Sequence, residues 1–395
     1  MKNSYTYGIL GAGRQGTAAA YDMARWGDAE RVILADQDLA IAERAARRVN
    51  QLTGSTLAEA TQVDVTDLKA VERVLQGVDA FVSAVPYYFN LDITRVAIKV
   101  GASMCDLGGN TDIVRQQHAF DAEAKKRGIS LIPDCGQVPG MGSSLIVYTM
   151  GLLDEATDVF MWDGGLPQNP QPPFDYLLTF NVAGLTNEYA EPGIFLRGGK
   201  IIQVEPMTEL EMVEFPDTVG TLEAFVAGGG TSTMPWTFEG KLRTLQNLTL
   251  RYPGHYQKLR AYWELGLWDL KPVKIGKNEV VPRDIFHALY EPKVTFPGIP
   301  EKSKDIVLVR VKALGKKSRR PAQAIVELVD RFDEQTGFTA MERTTGWDAA
   351  IVAEMMAHGV TPRGAGGVES FVPAVLFMNE LKQRGFNIKE KVEPL

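Results

Sequence analysis

Residues 6–36 read TYGILGAGRQGTAAAYDMARWGDAERVILAD. The short apolar run TYGIL passes straight into GAGRQG, which sets Gly11, Gly13 and Gly16 at the spacing G-x-G-x-x-G. A helix-forming stretch follows, and a second strand-like run, RVILAD, ends on Asp36, twenty residues after Gly16. Three glycines alone say little, because glycine is common. A strand before them, a helix after them and an acid at that distance make the dinucleotide-binding fingerprint of a βαβ unit. Gly11 permits the tight turn out of the strand, Gly13 lets the backbone approach a pyrophosphate, and Gly16 lets helix and strand pack closely. The helix N-terminus then offers free N–H groups and a positive dipole end to that pyrophosphate. A carboxylate at Asp36 accepts hydrogen bonds from ribose hydroxyls and repels a 2′-phosphate. Gln37 and Asp38 follow it rather than an arginine, so the expected cofactor is NAD and not NADP.

Outward from this unit the same alternation continues. Strand-like runs are expected at residues 5–10, 31–35, 60–65, 80–85, 103–107 and 130–132, with helices at 15–26, 39–51, 68–75, 92–100 and 111–127. Short apolar strands alternating with amphipathic helices predict a Rossmann-type α/β domain with a parallel sheet covered on both faces. After Pro139-Gly140 the pattern changes. FLRGGKIIQVE reads as a hairpin about Gly198-Gly199, and DIVLVRVKAL and QAIVELVDRF read as a strand pair joined by the basic turn GKKSRRP. Helices are expected near 256–267 and 282–290. This predicts a second, α+β domain with a mostly antiparallel sheet. From about Thr345 helix signals return in WDAAIVAEMMAHG and VPAVLFMNELKQRG, the latter closing with Lys382, Arg384 and Gly385 as a helix stop. The expected organisation is therefore a discontinuous NAD-binding domain, 1–140 and 345–395. Residues 141–344 form the domain for substrate binding and oligomerisation.

Composition narrows the class. The 395 residues are 45% apolar and 23% charged, as in ordinary globular chains, and the net charge of −7 argues against nucleic acid and anionic membranes as partners. No apolar run approaches the ~18 residues needed to span a bilayer, and the opening MKNSYTYGILGAG does not read as a signal peptide. The two cysteines, Cys105 and Cys135, and the four histidines fall at no metal-ligand spacing, which points to a reduced, cytoplasmic protein without a metal. Sheet edges in the second domain need cover, so a dimer-based homo-oligomer is expected.

Three further loops fall at the carboxyl ends of expected strands, where a cofactor crevice forms: SAVPYYFN, DLGGN and PDCGQVPGM. The candidate cofactor-binding residues are thus Gly11, Gly13, Arg14, Gln15, Gly16, Asp36, Val85, Pro86, Asp106 and Gly108. DLGGN and PDCGQVPGM, together with LEAFVAGGGTST, LRYPGHYQK, MERTTG and FMNELKQRG, resemble the saccharopine dehydrogenase-like family and, within it, the lysine 6-dehydrogenase branch. The likeness runs from about residue 6 to about 390. It implies a two-domain, self-associating oxidoreductase of amines or amino acids.

Oxidation of an amine by NAD requires a deprotonated amine, a carbon held against the nicotinamide, acid–base help for imine hydrolysis, and a remote clamp for the rest of the substrate. Arg251 in LRYPGH is the candidate carboxylate clamp, since a guanidinium matches a carboxylate bidentately. Thr231 and Ser232, after the glycines 228–230, are candidates for the same carboxylate, and Glu223 for a substrate ammonium. His255 and Asp106 are the candidate catalytic acid–base groups. Arg343 and Thr344 are placed near the crevice, while His118, His287 and His358 and the basic turn from Lys316 to Arg320 are read as structural or solvated. The expected reaction, following the resemblance, is oxidative deamination of the side-chain amine of L-lysine. The alternatives are a saccharopine-type enzyme acting on a secondary amine, which needs extra clamps such as Arg243 or Lys241, a carboxynorspermidine-type reductase, and a non-catalytic NAD-binding sensor.

Overall fold

The computed structural model describes residues 4–216 and 219–395. Its first half is the expected strand–helix alternation. Strands β1 (Tyr5–Leu10), β2 (Ala29–Asp36), β3 (Ala58–Gln62), β4 (Ala80–Ser83), β5 (Ser103–Asp106) and β6 (Ser130–Ile132) lie parallel in the order β6-β5-β4-β1-β2-β3. The order reverses about β1, so the crevice at the carboxyl ends of β1 and β4 is the switch point where such sheets bind ligands. β3 ends three residues earlier than the sequence predicts. Asp64 turns the chain by accepting from Thr66 N–H (2.9 Å), and Asp67 caps the next helix through Lys69 and Ala70 N–H. The single helix expected over 111–127 is two, Thr111–His118 and Asp121–Arg127. The break lets Asp121 accept from Ala365 N–H (3.1 Å), which docks the second helix on a distant strand.

The second sheet is built from β7 (Glu155–Pro167), β8 (Gly193–Arg197), β9 (Lys200–Val204), β10 (Glu211–Phe215), β11 (Gly220–Phe225) and β12 (Thr244–Arg251). The small hairpin β13 (Val273–Ile275) and β14 (Asn278–Val280) stands apart, and β15 (Asp305–Lys317) and β16 (Arg320–Arg331) form the long hairpin read from the sequence. The chain then adds β17 (Gly364–Ala365) to the free edge of β6, and β18 (Ile388–Pro394) to β16. The order β10-β11-β12-β7-β15-β16-β18, with the β8–β9 hairpin attached to β12, is antiparallel except where β12 runs parallel to β7. Residues 345–395 therefore do not all return to the first domain, as the sequence led us to expect. β17 does, but the last strand closes an edge of the second sheet, because β16 otherwise presents unpaired backbone from Ala322 to Leu328.

Helices Met141–Gly151, Asp348–Ala357 and Ala374–Gln383 fill the space between the sheets, so one buried apolar cluster runs from Ile9 and Val82 to Val307 and Val326. Arg384, expected only to end a helix, is a buried staple. Its Nε donates to both oxygens of Asp22 (2.9 Å each) and its Nη2 to Glu354 (2.6 Å), with no side-chain exposure. No helix among the described residues is long and apolar enough to cross a membrane.

Candidate functional site

The three glycines do three separable things. At Gly11, φ is +95° and a Cβ would stand 2.7 Å from the carbonyl oxygen of Ala84 on the neighbouring strand end. At Gly16 a Cβ would stand 1.9 Å from the carbonyl oxygen of Gly11, so helix and turn pack backbone to backbone. At Gly13 no protein atom lies within 4 Å of that position, and the residue is exposed at the start of helix Arg14–Trp26. The protein's own packing thus needs Gly11 and Gly16, while Gly13 opens the helix N-terminus outward, as a pyrophosphate cradle requires. Asp36 is half-buried at the end of β2, where one oxygen accepts from Ala12 N–H (2.9 Å) and the other from Asp38 N–H (3.1 Å). The carboxylate is thereby fixed beside the turn. This set of residues fits a dinucleotide.

The neighbouring candidates divide. Val85 is half-buried and Pro86 exposed just past the carboxyl end of β4. Gln15 is half-buried, with a side-chain oxygen that meets no protein partner. The Arg14 guanidinium reaches across to Glu342 (2.7 Å), tying the glycine turn to the second unit rather than standing free for phosphate. Asp106, expected to act on cofactor or substrate, is buried and spends its oxygens on protein. Oδ1 accepts from Gly108 N–H (2.9 Å) and Asp134 N–H (3.2 Å), and Oδ2 from Gln117 Nε2 (2.8 Å). Its carboxylate shapes the DLGGN loop, and Gly108 is held there by it. Asp134, which the sequence did not single out, is buried at φ +61° and accepts from the Ser232 hydroxyl. Burial pushes its carboxyl up to about 7, with the nearby Asp106 adding to the rise.

A second concavity lies where the PDCGQVPGM loop meets the second sheet. It is a cavity of about 40 Å³ walled by Gln137, Val138, Asp163, Glu188, Asn247 and Arg251, with Tyr176 and Met341 also lining it. The parallel pairing of β7 with β12 brings Asp163 opposite Thr249. Asn247, Thr249 and Arg251 alternate along β12 and so share one face, while Leu248 and Leu250 pack into the core behind. Glycines make the floor: a Cβ at Gly164 would lie 2.5 Å from the Leu250 carbonyl, and at Gly230 2.1 Å from Asn247 Oδ1. Asp163 accepts from Asn247 Nδ2 (2.7 Å) and Gln137 Nε2 (3.3 Å), and burial lifts its carboxyl to about 6. Glu188, on helix Val182–Ala190, is lifted to about 8 by burial against the opposing pull of Arg251.

Arg251 is 3% exposed, so its charge is nearly withdrawn from water. Its Nε donates to the Tyr189 hydroxyl (2.6 Å), its Nη1 to the Leu250 carbonyl (2.7 Å), and the rings of Tyr176 and Tyr189 flank it at 5.3 and 5.5 Å. The guanidinium can only donate, so the Tyr189 oxygen accepts from it, and the same hydroxyl lies 3.1 Å from His255 Nε2. His255 is buried and its pKa lies well below the usual value, first from desolvation and then from Arg251. Burial therefore favours the neutral imidazole. It does not line the cavity, and it stands behind Arg251 rather than against substrate, which corrects its reading as a catalytic acid–base group.

Three substrate-binding expectations also change. Glu223 is directly opposite Arg251 across the β11–β12 register, but its oxygens accept from Gly254 N–H (2.7 Å) and Tyr256 N–H (2.9 Å). It caps helix His255–Glu264 in place of binding an ammonium. The Thr231 hydroxyl donates to the Ile194 carbonyl (2.7 Å), and Ser232 is bound to Asp134. In that loop the glycine backbones of Gly228 and Gly230 line the cavity, and the hydroxyls turn away from it. Sequence reasoning missed Asp163, Glu188, Asn247 and Gln137. A usable signal was present in NLTLR, where polar residues recur every second position in an otherwise apolar strand.

The remaining residues are structural. Arg343 pairs with Asp330 (2.9 Å) under Trp347, and the Thr344 hydroxyl donates to the Ala340 carbonyl. Arg243 is exposed and grips Asp158 with two bonds (2.7 and 2.6 Å), and Lys241 is exposed near Phe238. Cys105 and Cys135 are buried free thiols. In the basic turn Lys316 pairs with Glu155 and Lys317 with Asp154.

Comparison with known proteins agrees with this geometry. Residues 7–132 match the model of the saccharopine dehydrogenase NADP binding domain, and residues 136–386 that of the saccharopine dehydrogenase C-terminal domain. The chain belongs to the saccharopine dehydrogenase family of oxidoreductases, and its amino-terminal unit is that family's nicotinamide-dinucleotide-binding domain. It is 21% identical over 267 residues to the NADP(+), L-glutamate-forming saccharopine dehydrogenase of Saccharomyces cerevisiae, covering 63% of this chain and 56% of the relative. The chain thus matches about half the length of such curated relatives. In fold it is similar to the apo L-Glu-forming saccharopine dehydrogenase from S. cerevisiae (TM-score 0.78, 19% identity, 98% of this chain and 100% of that one). It is also similar to a homospermidine synthase from Legionella pneumophila in complex with NAD (TM-score 0.66, 12% identity, 98% and 91%).

Proposed function

We propose that this member of the saccharopine dehydrogenase family is an NAD-dependent dehydrogenase of the side-chain amine of L-lysine. It would release ammonia and an aldehyde that closes on its own α-amine to a piperideine carboxylate. The observation that carries the reading is the single guanidinium of the cavity. Arg251 is the one cation among the lining residues, which suits a substrate with one carboxylate. Saccharopine carries extra carboxylates, and the cations the sequence offers for them do not line the cavity: Arg243 is committed to Asp158 and Lys241 is exposed. The nicotinamide supplies the hydride acceptor. Around it, Arg251 holds the carboxylate, and Asp163, held by Asn247 and Gln137, completes the polar wall beside it. Asp36, fixed by Ala12 N–H and followed by Gln37 and Asp38, supports NAD over NADP.

The family match favours a second reading, oxidation of the secondary amine of a saccharopine-like substrate. One assay separates the two: NADH or NADPH formation with L-lysine and with saccharopine, ammonia being measured in the same tubes. NADH with equimolar ammonia from lysine is expected. Turnover of saccharopine alone, without ammonia, overturns the first reading in favour of the second.

A further inference from the structure

An arginine and a glutamate face one small cavity and do not meet. Glu188 and Arg251 both line it, yet they form no ion pair within 4 Å, and the Glu188 carboxylate makes no hydrogen bond among the described residues. Asp163, the other carboxylate present, is by contrast satisfied by Asn247 and Gln137. In a buried site an arginine and a glutamate free to move would close on each other. Here the arginine is tethered away from the acid. Tyr189 holds its Nε and Leu250 its Nη1, and Tyr189 is itself paired with His255 behind it. About 40 Å³ of space remains. At about 10–15 Å³ per water, this holds roughly three water-sized groups. A carboxylate and an ammonium on one carbon are of that size.

We infer that this cavity is a head-group site for an α-amino-acid zwitterion, in which Arg251 takes the α-carboxylate and Glu188 the α-ammonium. The substrate's carboxylate would meet the guanidinium, and its ammonium the Glu188 carboxyl, which has no hydrogen-bond partner among the described residues. The side chain is left to extend along the wall of Gln137, Val138 and Met341, the first two belonging to the loop that leaves the carboxyl end of β6. Glu188 thereby becomes a specificity residue, admitting amines that carry a free α-amino acid at the far end. The inference rests on the proposed function only in naming lysine as such a substrate.

A linkage to pH follows. The groups facing Glu188 are Arg251 on β12, Asp163 on β7, and the phenols of Tyr176 and Tyr189. Burial outweighs the attraction of Arg251 and holds the carboxyl at about 8, so below that pH the free protein carries a proton there. An arriving ammonium displaces that proton to solvent. Affinity for the zwitterion should therefore rise with pH, by up to about tenfold per unit, until it levels near 8.

L-Norleucine, which has the head group but no terminal amine, tests this without turnover. Calorimetry on the NAD-loaded protein at pH 6.5, in two buffers of different ionisation enthalpy, should show binding with release of about one proton. Hexanoate and hexylamine should bind at least tenfold more weakly. Glu188→Gln, which replaces a protonated carboxyl by a neutral amide, should leave the melting temperature unchanged, weaken norleucine about 10–100-fold and abolish the proton release. Hexanoate binding as tightly as norleucine, no norleucine binding, or an unaltered Glu188→Gln variant would each overturn the inference. Norleucine binding without any oxidation of lysine would leave it standing and sink the proposed function alone.

Discussion

The crevice at Gly11–Gly16 and the cavity at Arg251 are both concave, but they are built by different means. The crevice is made of backbone. Its demands are a turn with positive φ, a close approach at Gly16 and a carboxylate at Asp36 fixed by Ala12 N–H, all within about thirty residues of chain. The cavity sets side chains over a glycine floor, collected from stretches scattered between Gln137 and Met341. What Arg251, Asp163 and Glu188 do there is set by burial and by which hydrogen bonds their neighbours supply. Local backbone constraints leave a motif in the sequence. A constellation of buried charges leaves only its residue types.

This contrast can be broken by mutation. The largest effect is expected at the cavity: Arg251→Met removes the sole lining cation, and kcat/KM for an amino-acid substrate should fall about 10²–10³-fold while dinucleotide binding is kept. An equal loss of NADH binding, read by fluorescence titration, would erase the distinction between the two regions. Within the crevice, Gly16→Val places a Cβ against the Gly11 carbonyl and should cost about 3 kcal/mol or more in a denaturant melt. Gly13→Ala points into open space, and should shift the melt by under about 0.5 kcal/mol yet weaken NADH about tenfold. Similar melts for the two would show that the glycines are not separable as the geometry requires. A smaller change is expected from Asp36→Asn, which should move the ratio of kcat/KM for NAD over NADP about tenfold toward NADP by removing the charge that opposes a 2′-phosphate. The smallest is Arg243→Ala. It breaks an ion pair whose arginine is 70% exposed and should change kcat/KM less than twofold. A tenfold loss there would bring back a substrate with a second carboxylate.

The candidate residues illustrate where reading the sequence stops. The sequence assigns Arg251 to a substrate carboxylate and Glu223 to a substrate ammonium. The register sets them opposite each other, yet one became a helix cap and the other a buried clamp, because the backbone N–H groups of Gly254 and Tyr256 reached Glu223 first. His255 was chosen for a pKa near neutrality, and its burial behind Tyr189 removes that property. Thr231 and Ser232 were chosen for their hydroxyls, and it is the glycines beside them that meet the cavity. Arg384 looked like a charge ending a helix in solvent, and instead satisfies Asp22 and Glu354 inside the protein.

By itself, the amino-acid sequence determined the parallel-sheet domain, the glycine turn after its first strand, two hairpins of the second sheet and the family likeness. All of these rest on short-range periodicity, on turn chemistry, or on motifs whose residues constrain their own backbone. Only the tertiary structure decided that the last strand joins the second sheet and that Asp106, Glu223 and His255 serve the protein's own architecture. It alone brought Asp163, Glu188 and Arg251 to one cavity. Those outcomes depend on long-range pairing and on which charges are withdrawn from water, and neither is written in the spacing of residues along the chain.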